Sequence, residues 1–110
     1  MVVYGIPNCD SVKKARAWLA ARGTGHVFHD FRKAGLPVDA LDAWIAAAGW
    51  ERVLNRKGTT WRRLDDSQRA AVVDAASARA AMLSEPSLVK RPVIEWGDGR
   101  ITVGFDPAGW

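Results

Sequence analysis

Sulfur and imidazole are scarce in this chain. Its 110 residues include one cysteine, one tyrosine and two histidines. A single cysteine excludes an internal disulfide and an intramolecular Cys-x-x-Cys redox couple, and it fits a reducing cytoplasm. His26 and His29 have no cysteine or acidic partners in ligand register, so no metal site is expected. No apolar run approaches the roughly 18 residues that cross a bilayer. The chain opens directly on strand-like residues, without a basic start and an apolar stretch, so no secretory signal is expected. Charge of one sign is not concentrated either. Lys and Arg total 16 against 12 acids, a net charge of +4. That modest bias suits an ordinary basic surface or an affinity for anions. No dense basic run with interleaved aromatics occurs, which argues against specific nucleic-acid binding.

What remains is an ordinary globular composition, 48% apolar and 25% charged. The length suits one domain with one core. Residues 2–5 read as a strand, Pro7-Asn8 as a turn, and residues 9–22 as a helix. The helix carries Val12, Ala15 and Leu19 on one face and Lys13, Lys14 and Arg22 largely on the other. Asn8 or Asp10 is expected to cap it. The lone cysteine, Cys9, falls at the junction. A helix start carries free N–H groups and a partial positive charge, which favour a thiolate or a bound oxyanion. Cys9 therefore has two readings, a compact apolar core residue or a nucleophile. Its strand–turn–helix setting favours the second.

Residues 26–31 alternate as a second strand, giving a βαβ unit with a right-handed crossover. Pro37 suits the first turn of a helix carrying Leu41, Trp44, Ile45 and Ala48, which Gly49 stops. After the polar turn Asn55-Arg56-Lys57-Gly58, a short turn runs through Leu64. Asp65-Asp66-Ser67-Gln68 resembles a capping box for one helix of about residues 66–82. Its buried face is expected to use Val72, Ala76, Ala80 and Leu83. Val93–Trp96, Gly97-Asp98-Gly99 and Arg100–Val103 read as a hairpin. Of the six tryptophans, Trp18 and Trp44 are expected to cover the core.

Four blocks follow one another: Tyr4-Gly5-Ile6-Pro7-Asn8-Cys9-Asp10; Asn55-Arg56-Lys57-Gly58-Thr59-Thr60-Trp61-Arg62; Pro86-Ser87-Leu88-Val89-Lys90-Arg91-Pro92-Val93; and Val103-Gly104-Phe105. With these blocks at matching separations, the chain resembles the arsenate reductase (ArsC) family, most closely its YffB-like branch. The resemblance implies an α/β, thioredoxin-like fold (β-α-β then β-β) in a single domain, with a helical insertion over about residues 37–85. It implies that Cys9 attacks the substrate and that Arg56 and Arg91 bind the oxyanion. Lys13 and Asn8, close to Cys9 in the sequence, are further anion-binding candidates, although a solvated helix face explains Lys13 equally well. It implies a cis bond before Pro92, no bound cofactor, and glutathione as co-substrate. Glutaredoxin is a further implied partner, and the substrate a small oxyanion or a disulfide.

The chain departs from the arsenate reductase pattern at three positions. Those reductases carry a His four residues before the nucleophile, where this chain has Gly5. They carry an Arg four residues after it, where this chain has Lys13. A third oxyanion arginine belongs near the C-terminal block, which here continues with Asp106. An acid in place of an arginine weakens binding of a doubly charged oxyanion. The leading expectation is therefore a cytoplasmic, glutathione-dependent thiol oxidoreductase, with arsenate reduction as the alternative chemistry. The related Spx-like regulators, which bind RNA polymerase, supply a non-enzymatic alternative. They often carry Cys-x-x-Cys, whereas Val12 stands three residues after Cys9 here.

Magnitudes decide what Cys9 needs. A free thiol is only a few per cent thiolate at neutral pH, and making it mostly thiolate takes about 2.7 kcal/mol. A helix start contributes about 0.3–1 kcal/mol when exposed and up to about 2 in a favourable site. A guanidinium nearby has to supply the rest. Arg91 is the first candidate and Arg56 the second. Asp10 opposes them unless it turns away from the sulfur.

Overall fold

β1 (Val2–Gly5) takes the extended conformation that its paired valines favour. It anchors a computed structural model that describes residues 1–110. α1 (Asp10–Ala21) follows and buries Val12, Ala15 and Leu19. The helix ends where Gly23 adopts φ 67°: its N–H donates to the Ala20 carbonyl and that of Thr24 to the Leu19 carbonyl. This double bond pattern satisfies the last carbonyls and needs a residue tolerant of positive φ. The chain returns in β2 (Val27–Asp30), parallel to β1 with Val2 opposite Val27 and Gly5 opposite Asp30.

The second strand stops one residue short of the expected alternation. The Asp30 carboxylate accepts hydrogen bonds from the N–H groups of Arg32 and Lys33, at 3.0 and 3.2 Å. That cap starts α2 (Phe31–Ala34) and turns Phe31 into the core. At the other end of the chain, β3 (Val93–Glu95) and β4 (Ile101–Val103) form the hairpin. Trp96 N–H donates to the Arg100 carbonyl at 3.0 Å to close its loop, and Gly97 and Gly99 supply the positive φ values. β3 lies antiparallel to β1, so the sheet order is β2-β1-β3-β4. This is the thioredoxin-like arrangement, β-α-β followed by a hairpin.

Val3, Leu19 and Ile94 are fully buried between α1 and the sheet, with Met1, Trp18, Phe28, Trp96 and Trp110 packed against them. Burying each such aliphatic side chain is worth roughly 1.5–3 kcal/mol. Trp110 meets Trp18, Trp96 and Phe105 edge-on, with ring centroids 5.2–5.4 Å apart. The tryptophans here are packing residues.

The chain divides into two compact units, a sheet unit of Met1–Gly35 with Arg91–Trp110, and a helical unit of Leu36–Lys90. Within the helical unit, α3 (Val38–Ala48) buries Leu41 and Trp44, with Pro37 as its cap rather than its first helical residue. α4 (Trp50–Val53) and α5 (Thr59–Arg63) follow. The single helix expected over residues 66–82 is in fact two. α6 (Asp66–Ala70) has the capping box of Asp65 and Gln68, and α7 (Ala75–Ser84) has a second box made by Asp74 and Ser77. Adjacent Val72 and Val73 and the second capping pair break the run. The new start also resets the helical register. Ala78 and Met82 are buried, whereas Ala76 and Ala80 are exposed and Val72 and Leu83 half-buried. A 3-10 turn at Pro86–Leu88 leads to an antiparallel bridge between Leu54 and Val89.

Candidate active site

The site grows from the way β1 hands over to α1. Val3, Tyr4, Gly5 and Ile6 are buried, and then Pro7 and Asn8 turn outward into solvent. Cys9 occupies the helix cap itself, with φ −143° and ψ 124°. Its carbonyl accepts the first helical hydrogen bond, from Lys13 N–H at 2.9 Å. Neither Asn8 nor Asp10 is the cap: Asn8 lies in the turn and Asp10 is the first helical residue. The Cys9 side chain makes no capping bond and is a free, half-buried thiol. The backbone N–H groups of the first turn therefore begin right after the sulfur-bearing residue, where a helix favours negative charge.

β3 brings a second element to the same end of the sheet. Tyr4 is opposite Val93 in the antiparallel ladder. β3 begins at Val93, so Arg91 and Pro92 come immediately before it, next to the last paired residues of the ladder. The peptide bond between Arg91 and Pro92 is cis. Pro92 is buried, and its carbonyl accepts from Gly104 N–H at 2.8 Å, which carries the chain end after β4 to this edge. Arg91 is half-buried. Cys9, Asn8, Arg91 and Pro92 thus belong to one end of the sheet unit. Lys13 is exposed on α1, and Asp106 is exposed where it caps a short 3-10 turn, Pro107–Gly109.

Arg56 belongs to the helical unit. Its turn is built by Asn55, whose side-chain oxygen accepts from Lys57 N–H at 3.1 Å. Gly58 completes the turn, because a Cβ there would stand 2.6 Å from the Asn55 amide nitrogen. The Arg56 guanidinium is exposed, 3.8 Å from the Glu51 carboxylate and 5.7 Å from the centre of the Trp50 ring. Such a loose, solvated pair contributes little to stability and leaves the guanidinium accessible.

The histidines are engaged elsewhere. His26 Nε2 accepts from Arg16 Nε at 3.3 Å, and His29 Nε2 lies 3.0 Å from the Gly35 carbonyl. No group of three or more His, Cys, Asp or Glu side chains is gathered as a metal site. No helix is long and apolar enough to cross a membrane.

Two features of the sheet were not read from sequence. Tyr4 donates its hydroxyl to Glu95 at 3.0 Å. Burial first, then that bond and the Glu95 charge, push its ionisation up to about 12. Gly5 lies against α1 so closely that a Cβ would stand 2.6 Å from Val12 Cγ2. A glycine at the end of an otherwise β-branched strand was the available signal, since such glycines mark close approach of a neighbouring element.

A family model described as the ArsC family matches residues 4–110. The solved structure of a protein named YFFB superposes with a TM-score of 0.91 at 47% identity, covering 98% of this chain and 93% of that one. A solution structure of an arsenate reductase (ArsC) related protein from Brucella melitensis gives 0.77 at 52% identity, over 97% of this chain and 88% of that one. The global transcriptional regulator Spx of Streptococcus pyogenes is 28% identical over 91% of this chain and 74% of its own length.

Proposed function

This chain belongs to the ArsC family, and from that premise we propose that it is a cytoplasmic, glutathione-dependent thiol oxidoreductase with Cys9 as its nucleophile. The observation that carries the reading is the placement of the chain's only thiol at the cap of α1. It stands at the sheet end where Arg91 and the cis Pro92 enter β3.

In the proposed cycle the Cys9 thiolate attacks one sulfur of an external disulfide. A Cys9 mixed disulfide forms, and the other sulfur leaves as a thiolate that takes a proton from water. No second cysteine is present to resolve the adduct. A glutathione thiolate, or that of a glutaredoxin, therefore attacks the outer sulfur, restores the Cys9 thiolate and departs as the new disulfide. One external disulfide is reduced as one is formed, so electrons balance. The first-turn N–H groups stabilise the thiolate. Arg91, Arg56, Lys13 and Asn8 bind the carboxylates or oxyanion of the incoming partner, with Arg91 supplying most of the positive charge at the sulfur.

Reduction of arsenate is the weaker form of this reading. The position that carries His in arsenate reductases is Gly5, and a side chain there collides with Val12. Asp106 adds negative charge where a cationic group is needed. The likeness to Spx favours a second reading, a regulator that docks on RNA polymerase without using Cys9.

Mass spectrometry after incubation with oxidised glutathione tests the proposal. One glutathione adduct at Cys9, removed by reduced glutathione and absent from Cys9→Ser, is expected. A wild-type protein that stays unmodified overturns the oxidoreductase reading. Capture of RNA polymerase by wild type and Cys9→Ser alike then supports the regulator.

A further inference from the structure

We infer that the contact between Gly5 and Val12 positions Cys9: the missing side chain at the end of β1 lets the first turn of α1 settle against the strand, and that depth sets where the sulfur and the N–H groups behind it stand. The inference rests on the reading of Cys9 as a nucleophile and names the residues that hold it in place.

Val3 and Gly5 face the same side of β1, because strand side chains alternate. On that side Val3 packs with Leu19, two turns further along α1, and Gly5 meets Val12. The helix therefore runs back along the strand. At its far end two full side chains separate helix from sheet. At the Cys9 end only the Val12 side chain does. A Cβ on Gly5 would lie 2.6 Å from Val12 Cγ2, 3.5 Å from Cγ1 and 3.7 Å from Cβ. Val12 is 1% exposed, and a valine in a helix has essentially one side-chain rotamer. It cannot swing aside.

The strand cannot give way either. Gly5 is paired with Asp30 in β2, and its neighbour Tyr4 is paired with Val93 in β3 on the other side. The element left to move is the start of α1. Cys9 is three residues before Val12 and is tied to the first turn by the Lys13 bond, so it moves with it. Gly5 and Val12 are positioning residues: neither needs to touch the substrate.

The test compares Gly5→Ala, Gly5→Ala/Val12→Ala and a control, Leu19→Val, which thins the same interface two turns from the thiol. The probe is iodoacetamide, and the readout is the rate of Cys9 alkylation at pH 7 and at pH 10, where any thiol is largely ionised. Gly5→Ala is expected to slow alkylation at pH 7 about fivefold or more while keeping the pH 10 rate within about twofold, since a sulfur shifted from the first-turn N–H groups loses their stabilisation of the thiolate, which matters only where the thiol is not already ionised. The double variant restores the pH 7 rate, because the methyl added at position 5 is offset by the two removed at 12. Leu19→Val lowers stability and leaves the ratio of the two rates unchanged.

A Gly5→Ala protein with the wild-type ratio overturns the inference, and so does a folded double variant that stays slow. If Gly5→Ala does not fold, the double variant is read in its place: recovery of both fold and pH 7 rate supports the inference, and failure of either overturns it. The functional reading fails separately, when wild-type Cys9 takes no glutathione. The alkylation ratios still decide the positioning role in that case.

Discussion

The two units of this chain are held together in different ways. In the sheet unit, order comes from partners far apart in sequence: β1 pairs with β3 roughly ninety residues later, as Tyr4 opposite Val93 illustrates. In the helical unit, order is mostly local. Of its five helices of 4–11 residues, α6 and α7 start at side-chain capping boxes three residues across, and a small set of buried side chains, Trp44 and Leu41 the largest, joins them. The sheet unit is suited to fixing a reactive sulfur against a rigid edge. The helical unit is suited to presenting side chains such as Arg56 from turns that local bonds shape. Chemistry is therefore expected to be lost by changes in the first unit that leave the second intact, and stability by the reverse.

The sharpest break is Cys9→Ser. Thiol alkylation and adduct formation are abolished, while thermal unfolding stays close to wild type, since a half-buried sulfur-to-oxygen change removes no packing volume of consequence. Any residual alkylation, read by mass spectrometry, places reactivity outside the sulfur and breaks the comparison at its root.

Trp44→Ala comes next. Its ring is fully buried in the helical unit, and truncating a buried tryptophan costs about 3–5 kcal/mol. Denaturant titration reads the loss, and hydrogen exchange locates it. Protection is expected to fall across residues 36–90 first, with the β1 and β3 amides holding longest. A uniform fall across both units shows that they unfold as one.

Arg91→Ala separates the units by charge. Removing the guanidinium beside the start of β3 is expected to slow Cys9 alkylation at pH 7 about tenfold, in line with the effect of one nearby opposite charge. Arg56→Ala is expected to act in the same direction and less. If Arg56→Ala changes neither alkylation nor the saturation of the reaction by oxidised glutathione, the anion set is confined to the sheet unit.

The same contrast explains what could be read before the structure. β1, the Cys9 junction, the α1 core face and the Gly97-Asp98-Gly99 hairpin are legible because each carries its own periodicity or turn residues. Asp74 was misread inside a continuous helix because Asp65 had already offered a cap, and two capping signals nine residues apart compete on equal terms. The cap of α1 was misassigned for a similar reason: Asn and Asp are the usual caps, and both flank Cys9. The Gly5 contact and the Tyr4–Glu95 bond were hidden because each needs a partner that only the folded sheet supplies. Glu95 is 91 residues from Tyr4.

The caps give a smaller effect with a defined pH window. The Ser77 hydroxyl and then its backbone N–H hold the carboxyl of Asp74 below the ordinary carboxylate range, and the Gln68 backbone N–H with the Ser67 hydroxyl does the same for Asp65. A depressed carboxyl stabilises the fold above its unfolded value and loses that contribution as pH falls through its folded one. Far-UV circular dichroism in acid should therefore show α6 and α7 fraying, and Asp74→Asn should flatten the dependence. Strand pairing in the sheet unit is expected to persist over the same range.

The smallest effect lies at the opposite end of the pH scale and in the opposite unit. Tyr4 is the only tyrosine, so the rise in absorbance at 295 nm on tyrosine ionisation comes from it. Its ionisation is raised from 10.0 to about 12, chiefly by burial. The folded state keeps the proton that the unfolded chain has released. Stability from this group is thus complete below pH 10.0 and drains away toward about 12. Glu95→Gln removes only the lesser causes, the carboxylate's hydrogen bond and its charge. The titration midpoint should drop by less than about one pH unit and remain above that of a free tyrosine. A midpoint that falls all the way to the ordinary value shows that Glu95, and not enclosure by the sheet, governs Tyr4. The sheet unit is then held at this point by one polar contact, as the helical unit is by its caps, and the distinction between the two units fails there.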